Sequence, residues 1–497
     1  MFIEQIITPF IEAVNNYKEK NAFCINDKFY TYHDFAICIS KISSEIKKRH
    51  FKSKQVGLVA NDDIETYASI FAIWFEGLAY VPLHPLQPKD RILEIISQAE
   101  IELIIDSKQD QYLSQFNLIQ SSQLPNVTAD FDFKNISDDS LAYILFTSGS
   151  TGKPKGVQLS RGNIAAFMKS FWAVGFSISA DDCCLQCFDL TFDVSVQSYL
   201  VPLLKGACTY TIPHDQIKYS YVFGLLENHK LTFGAMAPSM IRFLRPYFDE
   251  IDVPSMRYNI LTAEASPLDL VNEWAKCIPN AIIYDFYGPT EATIYCTYYK
   301  VERLGNSKQL NGMLSIGKPM NGLTAIIIDD QNNILGNNKK GELCIAGPQL
   351  TIGYWKNSEK NAEAFFHLDI DGIKMRFYRT GDLCYFDDDG DIMYSGRLDY
   401  QVKIQGYRIE LGEIEYHGRE FLAGQNAIAV AYQNKIENTE IILFVEGQKF
   451  NETSLIEYLK SKMPHYMIPA KILFQDSFPL NANGKIDRNA LKKNITI

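Results

Sequence analysis

The stretch Leu141–Ser160, LAYILFTSGSTGKPKGVQLS, determines how the rest of the chain is interpreted. Its first six residues form an apolar run that predicts a buried strand, and GVQLS predicts a second strand. A helix is expected after Ser160, because serine is a preferred N-cap residue. The loop between the strands contains Gly, Ser, Thr and Lys residues. Their backbone N–H, hydroxyl and ammonium groups are suited to phosphate binding.

This loop departs from the usual nucleoside-triphosphate loop. That loop has four residues between its two glycines, then Lys and Ser or Thr, and it opens a helix. Here only two residues separate Gly149 from Gly152, and Pro154 follows the next lysine. The loop must therefore bind phosphate with its own backbone and side chains rather than with a helix N-terminus. A surface turn without a ligand is the alternative at this point.

Composition limits the class of protein. The chain has 497 residues, of which 46% are hydrophobic and 22% charged, as in soluble globular proteins of two or three domains. The net charge of −11 argues against a nucleic-acid or anionic-membrane partner. No apolar run approaches the ~20 residues of a membrane span. The N-terminal segment MFIEQIITPFIEAV lacks a basic region, so it predicts an amphipathic helix rather than a signal peptide.

The ten cysteines show no disulfide spacing, which indicates reduced thiols and a cytoplasmic protein. Cys183, Cys184 and Cys187 lie close together, but no second pair or histidine is near them in sequence. Ordinary buried thiols are therefore expected there rather than a metal site.

Strand-like runs alternate with helix-like runs through the first 320 residues, as in QVGLVA followed by IETYASIFAIWFEG. This alternation predicts an α/β architecture with a largely parallel sheet. After about residue 320, short strands are separated by Asp-Gly and Asn turns, which predicts hairpins. The final hundred residues mix strands with two helices. They are expected to form a small α+β domain after a junction near Arg397–Tyr400.

Motifs along nearly the whole chain resemble those of the adenylate-forming superfamily. This superfamily comprises acyl- and aryl-CoA ligases, luciferases and the amino-acid adenylation domains of peptide synthetases. FTSGSTGKPKG (146–156) is similar to its signature loop. The other motifs follow in family order: YTYHDF (30–35), EGLAYVPLHP (76–85), FDVS (192–195), YGPTEA (287–292), GELCIAG (341–347), YRTGD (378–382), GRLDYQVKIQGYRIELGEIE (396–415), MPHYMIP (463–469) and NGKIDR (483–488).

The resemblance implies the α/β adenylate-forming enzyme fold. Residues 1–398 would form a large N-terminal domain of stacked α/β sheets with a β-barrel-like portion. Residues 399–497 would form a small mobile α+β lid with its hinge at Asp399. The resemblance also implies two half-reactions that use ATP and Mg²⁺. A carboxylate attacks the α-phosphate of ATP, giving an acyl-adenylate and pyrophosphate, and a thiol then takes the acyl group.

The resemblance assigns catalysis to two lysines and to two residues of the N-terminal domain. Lys485 resembles the lysine that bridges the substrate carboxylate and the α-phosphate, and Lys403 resembles the lysine that faces the site during thiol transfer. Glu291 resembles the Mg²⁺ ligand, since a hard cation prefers carboxylate oxygen, and Thr290 resembles the hydroxyl at the α-phosphate. Without the resemblance, Lys485 would be a solvated side chain in an Asn-Gly turn.

The implied ATP-binding residues surround the base, the ribose and the phosphates. Tyr287 would stack on the adenine and Asp285 would lie beside the adenine amino group. Asp382, supported by Arg397, would bind both ribose hydroxyls with its two oxygens. The complete set is Thr147, Ser148, Gly149, Ser150, Thr151, Lys155, Glu264, Asp285, Phe286, Tyr287, Gly288, Thr290, Asp382, Tyr394, Arg397 and Lys485.

Asp193 in FDVS resembles the carboxylate that pairs with the substrate α-ammonium in amino-acid-activating members. Burying that cation without a partner would be costly. An aspartate that caps the following segment is the alternative. Phe286 and Tyr295 are bulky and Gln197 is polar, which indicates a small amino acid, with a polar side chain as one option. The predicted substrate-binding set is Asp193, Val194, Gln197, Ala235, Leu261, Phe286, Ile294 and Tyr295.

Within the superfamily, the chain is most similar to D-alanine–carrier protein ligases and to stand-alone amino-acid adenylation domains. One difference concerns the substrate, because those ligases have Cys-Gly-Glu where this chain has Thr262-Ala263-Glu264. The Met expected near Gln197 is also absent. D-Alanine is therefore one candidate among small amino acids.

Nine residues follow Arg488, so no fused carrier domain is expected. The acyl acceptor would be the phosphopantetheine thiol of a separate carrier protein. Free CoA is the alternative acceptor, and the protein would then be an acyl- or aryl-CoA ligase. A non-catalytic carrier-binding or regulatory protein with the same fold is a third alternative, and the retained Lys485, Glu291, Asp382 and Arg397 argue against it. The chain is expected to act as a monomer, without nucleic acid or a membrane span.

Overall fold

The computed structural model describes residues 1–108, 111–149, 152–213, 216–303, 305–447, 451–480, 486–493 and 495. They fold into two compact units. The first unit contains Met1–Pro85, Ile96–Leu145 and Gly156–Leu398. The second unit combines Leu86–Ile95, Phe146–Lys155 and the segment from Asp399 onward, so two short segments from the N-terminal part of the chain belong to it.

The N-terminal helix is confirmed, since a π-helical turn over Ile3–Ile7 leads directly into the first α-helix and buries Ile6, Ile7 and Phe10. Within the ranges given above, no helix is long and apolar enough to cross a membrane. In chain order, the helices are α1 Thr8–Asn16, α2 Tyr32–Lys48, α3 Ile64–Phe75, α4 Lys89–Gln98, α5 Arg161–Ala173, α6 Val194–Leu203, α7 Lys218–Asn228, α8 Pro238–Leu244, α9 Leu268–Cys277, α10 Ser358–Ala364, α11 Leu411–Phe421, α12 Glu452–Lys462 and α13 Arg488–Lys493.

Most strands are short, and the exception, Ile373–Phe386, has 14 residues. In chain order they are β1 Asn21–Ile25, β2 Lys28–Thr31, β3 Gln55–Val59, β4 Ala79–Leu83, β5 Leu103–Asp106, β6 Asn117–Gln120, β7 Leu141–Thr147, β8 Lys155–Ser160, β9 Cys183–Gln186, β10 Cys208–Thr211, β11 Phe233–Met236, β12 Tyr258–Leu261, β13 Ile282–Tyr287, β14 Thr297–Lys300, β15 Gln309–Leu310, β16 Met313–Leu314, β17 Lys318–Pro319, β18 Thr324–Ile328, β19 Gly341–Ala346, β20 Gly353–Tyr354, β21 Phe365–Ile370, β22 Ile373–Phe386, β23 Ile392–Arg397, β24 Gln401–Ile404, β25 Tyr407–Glu410, β26 Ala427–Gln433, β27 Thr439–Glu446 and β28 Lys471–Gln475.

Two mainly parallel sheets form the α/β part of the first unit, with strand orders β17-β14-β13-β12-β11-β9-β10-β1-β2 and β20-β8-β7-β4-β3-β5-β6. An antiparallel sheet of order β18-β19-β22-β21, with β23 paired to β22, accounts for the hairpins expected after about residue 320. The predicted α/β fold class is confirmed.

Helix α3 shows how the core holds the strand that leads to the phosphate-type loop. Asp63 caps the helix by accepting the Thr66 backbone N–H, and nearly every residue of α3 is buried. A helix that is apolar on all sides must be surrounded by other elements. The indole N–H of Trp74 donates to the Ala142 carbonyl at 2.9 Å, which ties α3 to β7.

The strands and the N-cap predicted around the loop are confirmed. Strands β7 and β8 flank the loop, and the Ser160 hydroxyl accepts the Asn163 backbone N–H at 3.1 Å at the start of α5. The Asn163 amide donates in turn to the carbonyls of Pro348 and Leu350, both at 2.9 Å. The end of β8 is therefore fixed by a capping interaction that also holds a distant segment.

The C-terminal part of the second unit has the α+β character expected for this segment. It contains the β24–β25 hairpin, the sheet β26-β27-β28 and helices α11 to α13. Buried Glu415 on α11 accepts the Ala429 backbone N–H at 2.9 Å and the guanidinium of Arg488. One carboxylate thereby links α11, β26 and α13.

Gly312 and Gly317 are a matched pair for testing the fold. Both have positive φ, of +83° and +71°. A Cβ atom on Gly317 would lie 1.9 Å from the Tyr298 carbonyl oxygen, whereas one on Gly312 would meet no atom within 4 Å. Gly312→Ala should cost about 1–2 kcal/mol of left-handed backbone strain, and Gly317→Ala about 1–3 kcal/mol more from the clash. Urea unfolding measures both, and equal losses would contradict the close approach of Gly317 to β14.

Candidate active site

The parallel strands β11, β12 and β13 end at one edge of the large sheet, which is where ligands bind in open α/β sheets. The strand register places Ala235 and Phe286 on one face, because side chains alternate along a strand. Leu261 pairs in register with Asp285 and lies on the other face, in a cluster with Met236. Leu261 was predicted to line the pocket with Ala235 and Phe286, but it lies on the opposite face of the sheet from them.

A strained turn follows β13. A Cβ atom on Gly288 would lie 2.4 Å from the Ile294 carbonyl oxygen, so only glycine permits this close approach. Thr293 and Ile294 have φ of +56° and +71°, which is rare for β-branched residues and costs about 1–3 kcal/mol each. The Thr293 hydroxyl donates to the Gln349 carbonyl and helps to hold this conformation. The turn directs the Ile294 N–H at Oδ2 of Asp193, 3.3 Å away.

Asp193 immediately precedes α6 and is buried, with 6% exposure. It accepts hydrogen bonds from the Thr290 side chain and from the backbone N–H groups of Ile294 and Val194. Burial raises the pKa of Asp193 from 3.8 to about 6; these hydrogen bonds oppose the rise and the Glu291 charge adds to it. All three donors are neutral, and within the described ranges no Lys, Arg or His forms an ion pair with Asp193.

Gln197 lies one helical turn after Asp193, on the same face of α6, and is fully buried. Its Oε1 accepts the Tyr295 hydroxyl at 3.4 Å, while its Nε2 has no hydrogen-bond partner among the residues that the structure describes. The Tyr295 hydroxyl also hydrogen-bonds with the Thr262 side chain, and its ring packs on Phe286 with 4.9 Å between the centroids. The structure thus brings six predicted substrate residues together: Asp193, Val194, Gln197, Phe286, Ile294 and Tyr295.

Glu291 lies in the 3-10 turn Thr290–Ala292 and is fully buried. Its Oε1 accepts the Tyr354 hydroxyl at 2.6 Å, and its backbone carbonyl accepts the Thr351 N–H at 2.8 Å. The Glu291 charge also raises the pKa of Asp193, so two buried carboxyl groups lie near each other. Carboxylate oxygen is the donor that Mg²⁺ prefers, and a cation would relieve this repulsion. The residues therefore fit the ion that the sequence implies.

Asp382 and Arg397 face each other on the paired strands β22 and β23. Nη1 of Arg397 donates to Oδ1 of Asp382 at 2.9 Å and to the Thr380 carbonyl at 2.8 Å. The Tyr287 hydroxyl donates to the other oxygen of Asp382. Burial, and then the Asp382 charge, raise the pKa of Tyr287 well above its usual range, so this phenol stays a donor. Three predicted ATP-binding residues therefore form one cluster.

Two further predicted acids are held by serines. Oδ1 of Asp285 accepts the Ser266 hydroxyl at 2.7 Å. Glu264 accepts both the backbone N–H and the hydroxyl of Ser239, at 3.0 and 2.9 Å. Tyr394, on β23, packs against the main hydrophobic core. Each of these side chains is thus fixed in the first unit.

In the second unit, residues of the phosphate-type loop bind carboxylates. The Gly149 N–H donates to Oε2 of Glu413 at 3.0 Å, and the Lys155 ammonium donates to Oε1 of Glu410 at 3.1 Å. The Ser148 hydroxyl accepts the Glu410 backbone N–H at 3.1 Å. Two donors that the sequence assigns to phosphate, the Gly149 N–H and the Lys155 ammonium, therefore hold anionic oxygens in this structure.

Arg91 is a member of this cluster that the sequence analysis missed. Its Nη1 donates to Oε1 of Glu413 at 2.5 Å, and both side chains are almost fully buried. The two residues are 322 positions apart, so no local pattern connects them. The one available signal was a charged residue among the buried helix positions Ile92 and Ile95. Tyr354 was missed for the same reason, since it lies 63 positions from Glu291.

The remaining predicted residues are placed as follows. Thr147 ends β7, and its hydroxyl donates to the Lys155 carbonyl at 3.4 Å. Asp399 is exposed and accepts the Gln401 N–H at 3.1 Å. Lys403 lies on β24, opposite Arg408. Ser150, Thr151 and Lys485 lie outside the described residues, and the roles assigned to them stay predictions.

Comparison with known proteins identifies the family. The family model described as AMP-binding enzyme matches residues 10–355. The D-alanine–D-alanyl carrier protein ligase of Bacillus velezensis is 30% identical over 510 residues, which covers 98% of this chain and 99% of that protein. A linear gramicidin synthase of Brevibacillus parabrevis is 31% identical over 493 residues, 97% of this chain. The chain spans 9% of that synthase and 13% of tyrocidine synthase 2 from the same organism.

Solved structures show the same fold. The Vibrio cholerae adenylation domain AlmE, in complex with glycyl-adenosine-5'-phosphate, has a TM-score of 0.86 at 23% identity, over 98% of this chain and 97% of that chain. An artificially fused adenylation–PCP di-domain, NpsA-ThdA from Klebsiella oxytoca, has a TM-score of 0.81 at 22% identity, over 94% and 92%. The family match and the B. velezensis relative confirm the resemblance seen in the motifs. This chain belongs to the AMP-binding enzyme family of adenylate-forming ligases.

Proposed function

We propose that the protein activates a small amino acid with ATP and transfers it to the phosphopantetheine thiol of a separate carrier protein. The observation that carries this proposal is Asp193, a buried carboxylate whose hydrogen-bond donors are all neutral. A buried charge is stabilised most by an opposite charge close to it. The α-ammonium of an amino acid supplies that charge. A fatty or aryl acid would leave Asp193 without a cation.

In the first half-reaction, a carboxylate oxygen of the amino acid bonds to the α-phosphorus as the bond from phosphorus to the pyrophosphate oxygen breaks. Asp193 would hold the ammonium and so orient the carboxylate. Asp382 would bind the ribose hydroxyls, exchanging its bond with Tyr287 for them. Lys485 would bridge the carboxylate and the α-phosphate. Glu291 would hold Mg²⁺, which supplies neutralisation of the phosphate charge.

The loop contacts in the second unit support a phosphate-binding role. Carboxylate and phosphate oxygens accept the same charge-assisted hydrogen bonds from N–H and ammonium groups. Glu413 on Gly149 and Glu410 on Lys155 therefore occupy donors that are suited to phosphate. ATP would exchange these carboxylates for its β- and γ-phosphate oxygens, and the release of pyrophosphate would return the donors to them.

In the second half-reaction, the thiol sulfur attacks the carbonyl carbon of the adenylate, AMP leaves, and the thiol proton passes to solvent. Lys403 would face the site at this stage. A carrier protein as acceptor is supported by the B. velezensis relative, which is named for its D-alanyl carrier protein and matches over 99% of its length.

The side chain of the substrate would contact Gln197. Within the described part of the chain its buried Nε2 has no hydrogen-bond partner, and such a donor costs about 1–3 kcal/mol unless a ligand satisfies it. Because Phe286 and Tyr295 restrict the space, the acceptor must lie on a short side chain. These features support a small amino acid with a hydroxyl or carbonyl oxygen, and alanine would leave the donor unpaired.

Pyrophosphate exchange into ATP, measured with each common L- and D-amino acid, tests the proposal. A small amino acid should support exchange. Asp193→Asn should reduce that exchange at least about 100-fold, because the buried ammonium loses its charge partner. Asp249→Asn, at an exposed aspartate, is the matched control and should retain the wild-type rate. Exchange with acyl or aryl acids, and with no amino acid, would contradict the proposal and favour a CoA ligase.

The Gln197 assignment is tested by comparing serine with 2-aminobutyrate, which differ only in a hydroxyl and a methyl group. Wild-type protein should prefer the hydroxyl substrate, and Gln197→Met should shift the ratio of exchange rates toward 2-aminobutyrate by about tenfold, the effect of one hydrogen bond to a buried donor. A ratio that is unchanged in Gln197→Met would show that Nε2 does not contact the substrate side chain.

Lys485 and Lys403 are each expected to act in only one of the two half-reactions. Lys485→Ala should lower pyrophosphate exchange by about 10²–10³-fold while largely retaining ATP binding. Lys403→Ala should retain exchange and slow thioester formation on a carrier protein. Lys471→Ala, at an exposed lysine of β28, is the control for both assays. Equal loss of exchange in the first two variants would show that the assignment of one lysine to each step is wrong.

A further inference from the structure

Three metal-ligand side chains that lie far apart in sequence come together at the β1–β2 end of the large sheet. Cys24 is on β1, Asp27 is in the turn to β2, and His229 directly follows α7. Their ligand atoms all lie within 4.8 Å of one another. Oδ1 of Asp27 and Nε2 of His229 are 3.5 Å apart. The site described above contains none of these residues.

The backbone fixes two of the ligands and the turn between them. Asn26 and Asp27 have φ of +51° and +59°, the conformation of a tight two-residue hairpin turn. The Asp27 backbone forms a hydrogen bond with the Cys24 sulfur. Cys24 itself is 2% exposed and is held in register between Tyr210 on β10 and Phe29 on β2.

The same two aromatic rings position the imidazole. The His229 ring packs on Tyr210 with 4.9 Å between the centroids, and it meets Phe29 edge-on at 6.5 Å. A ligand that is held by packed rings has a fixed orientation before any ion binds. Asp27 is the adjustable ligand, since its side chain is 76% exposed.

A cavity of about 470 Å³ opens beside these ligands. Asp27 and His229 line it, together with Ser220, Tyr221 and Asn228. An ion could therefore enter from solvent and keep an open coordination position toward polar side chains.

We propose that Cys24, Asp27 and His229 bind one divalent cation of the Zn²⁺ class, with a fourth position open to the cavity. Thiolate sulfur and imidazole nitrogen select Zn²⁺ or Co²⁺ over the hard ions Mg²⁺ and Ca²⁺. Ligand atoms about 2.0–2.3 Å from a tetrahedral ion lie roughly 3.5 Å from one another, which is the separation of Asp27 from His229. On coordination, the Cys24 thiol proton passes to solvent.

Cobalt titration of the purified, metal-stripped full chain tests this site. Co²⁺ should produce the thiolate-to-metal charge-transfer band in the near ultraviolet, and Zn²⁺ should abolish the band by competition. Cys24→Ser should remove the band. Cys183→Ser, at a neighbouring half-buried thiol outside the ligand group, is the matched control and should leave the band unchanged.

Asp27→Asn changes an exposed side chain and His229→Gln a partly buried one, and circular dichroism should show that both variants keep the fold. Each should weaken Zn²⁺ binding in calorimetry by about tenfold or more, since each removes one of three ligands. The absence of a charge-transfer band in the wild-type protein would overturn the proposal. A band that depends on Cys183 rather than Cys24 would also overturn it, as would a Zn²⁺ affinity that neither His229→Gln nor Asp27→Asn changes.

Discussion

Burial of the Asp193 carboxylate is the constraint on which the rest of the candidate site depends. Transfer of a carboxylate from water into the protein is unfavourable unless hydrogen bonds or an opposite charge compensate for it. Here the compensation is incomplete, because neutral donors are the partners and the pKa of Asp193 remains raised to about 6. A buried carboxylate whose charge is only partly compensated favours binding of a ligand that places a cation beside it. We interpret this as preorganisation for the ammonium of an amino acid.

The turn that contacts Asp193 contains strained backbone conformations, which neighbouring contacts hold in place. The left-handed conformations of Thr293 and Ile294 are unfavourable, yet the Ile294 N–H lies at Asp193 in this turn. Gly288 permits the return of the chain, since no other residue fits there. Strain of this kind persists only where neighbouring contacts hold it, and it is concentrated at functional sites.

Much of this could be predicted from the sequence, because it depends on local signals. Strand periodicity and capping preference were sufficient for β7, β8 and the cap at Ser160. The motifs were sufficient to group Tyr287, Asp382 and Arg397, which the structure joins through hydrogen bonds.

Other features depend on relations that a single sequence does not contain. The face on which Leu261 lies depends on the strand register, and a register shift of one residue would move every side chain of the strand to the opposite face. The ion pair of Arg91 and Glu413 joins distant segments. The turn at Thr293 contradicts the local preference of a β-branched residue, so propensity predicts another conformation there.

The pKa of Asp193, measured with and without substrate, shows whether its buried carboxylate pairs with an ammonium. Carboxyl ¹³C NMR of labelled aspartate, with Asp193→Asn to assign the signal, would follow it in the free protein and in a complex with the preferred amino acid and a non-hydrolysable ATP analogue. The pKa should be about 6 in the free protein and should fall below the ordinary 3.8 once the ammonium lies beside the carboxylate. A pKa that remains near 6 in the complex would show that Asp193 does not pair with the substrate ammonium.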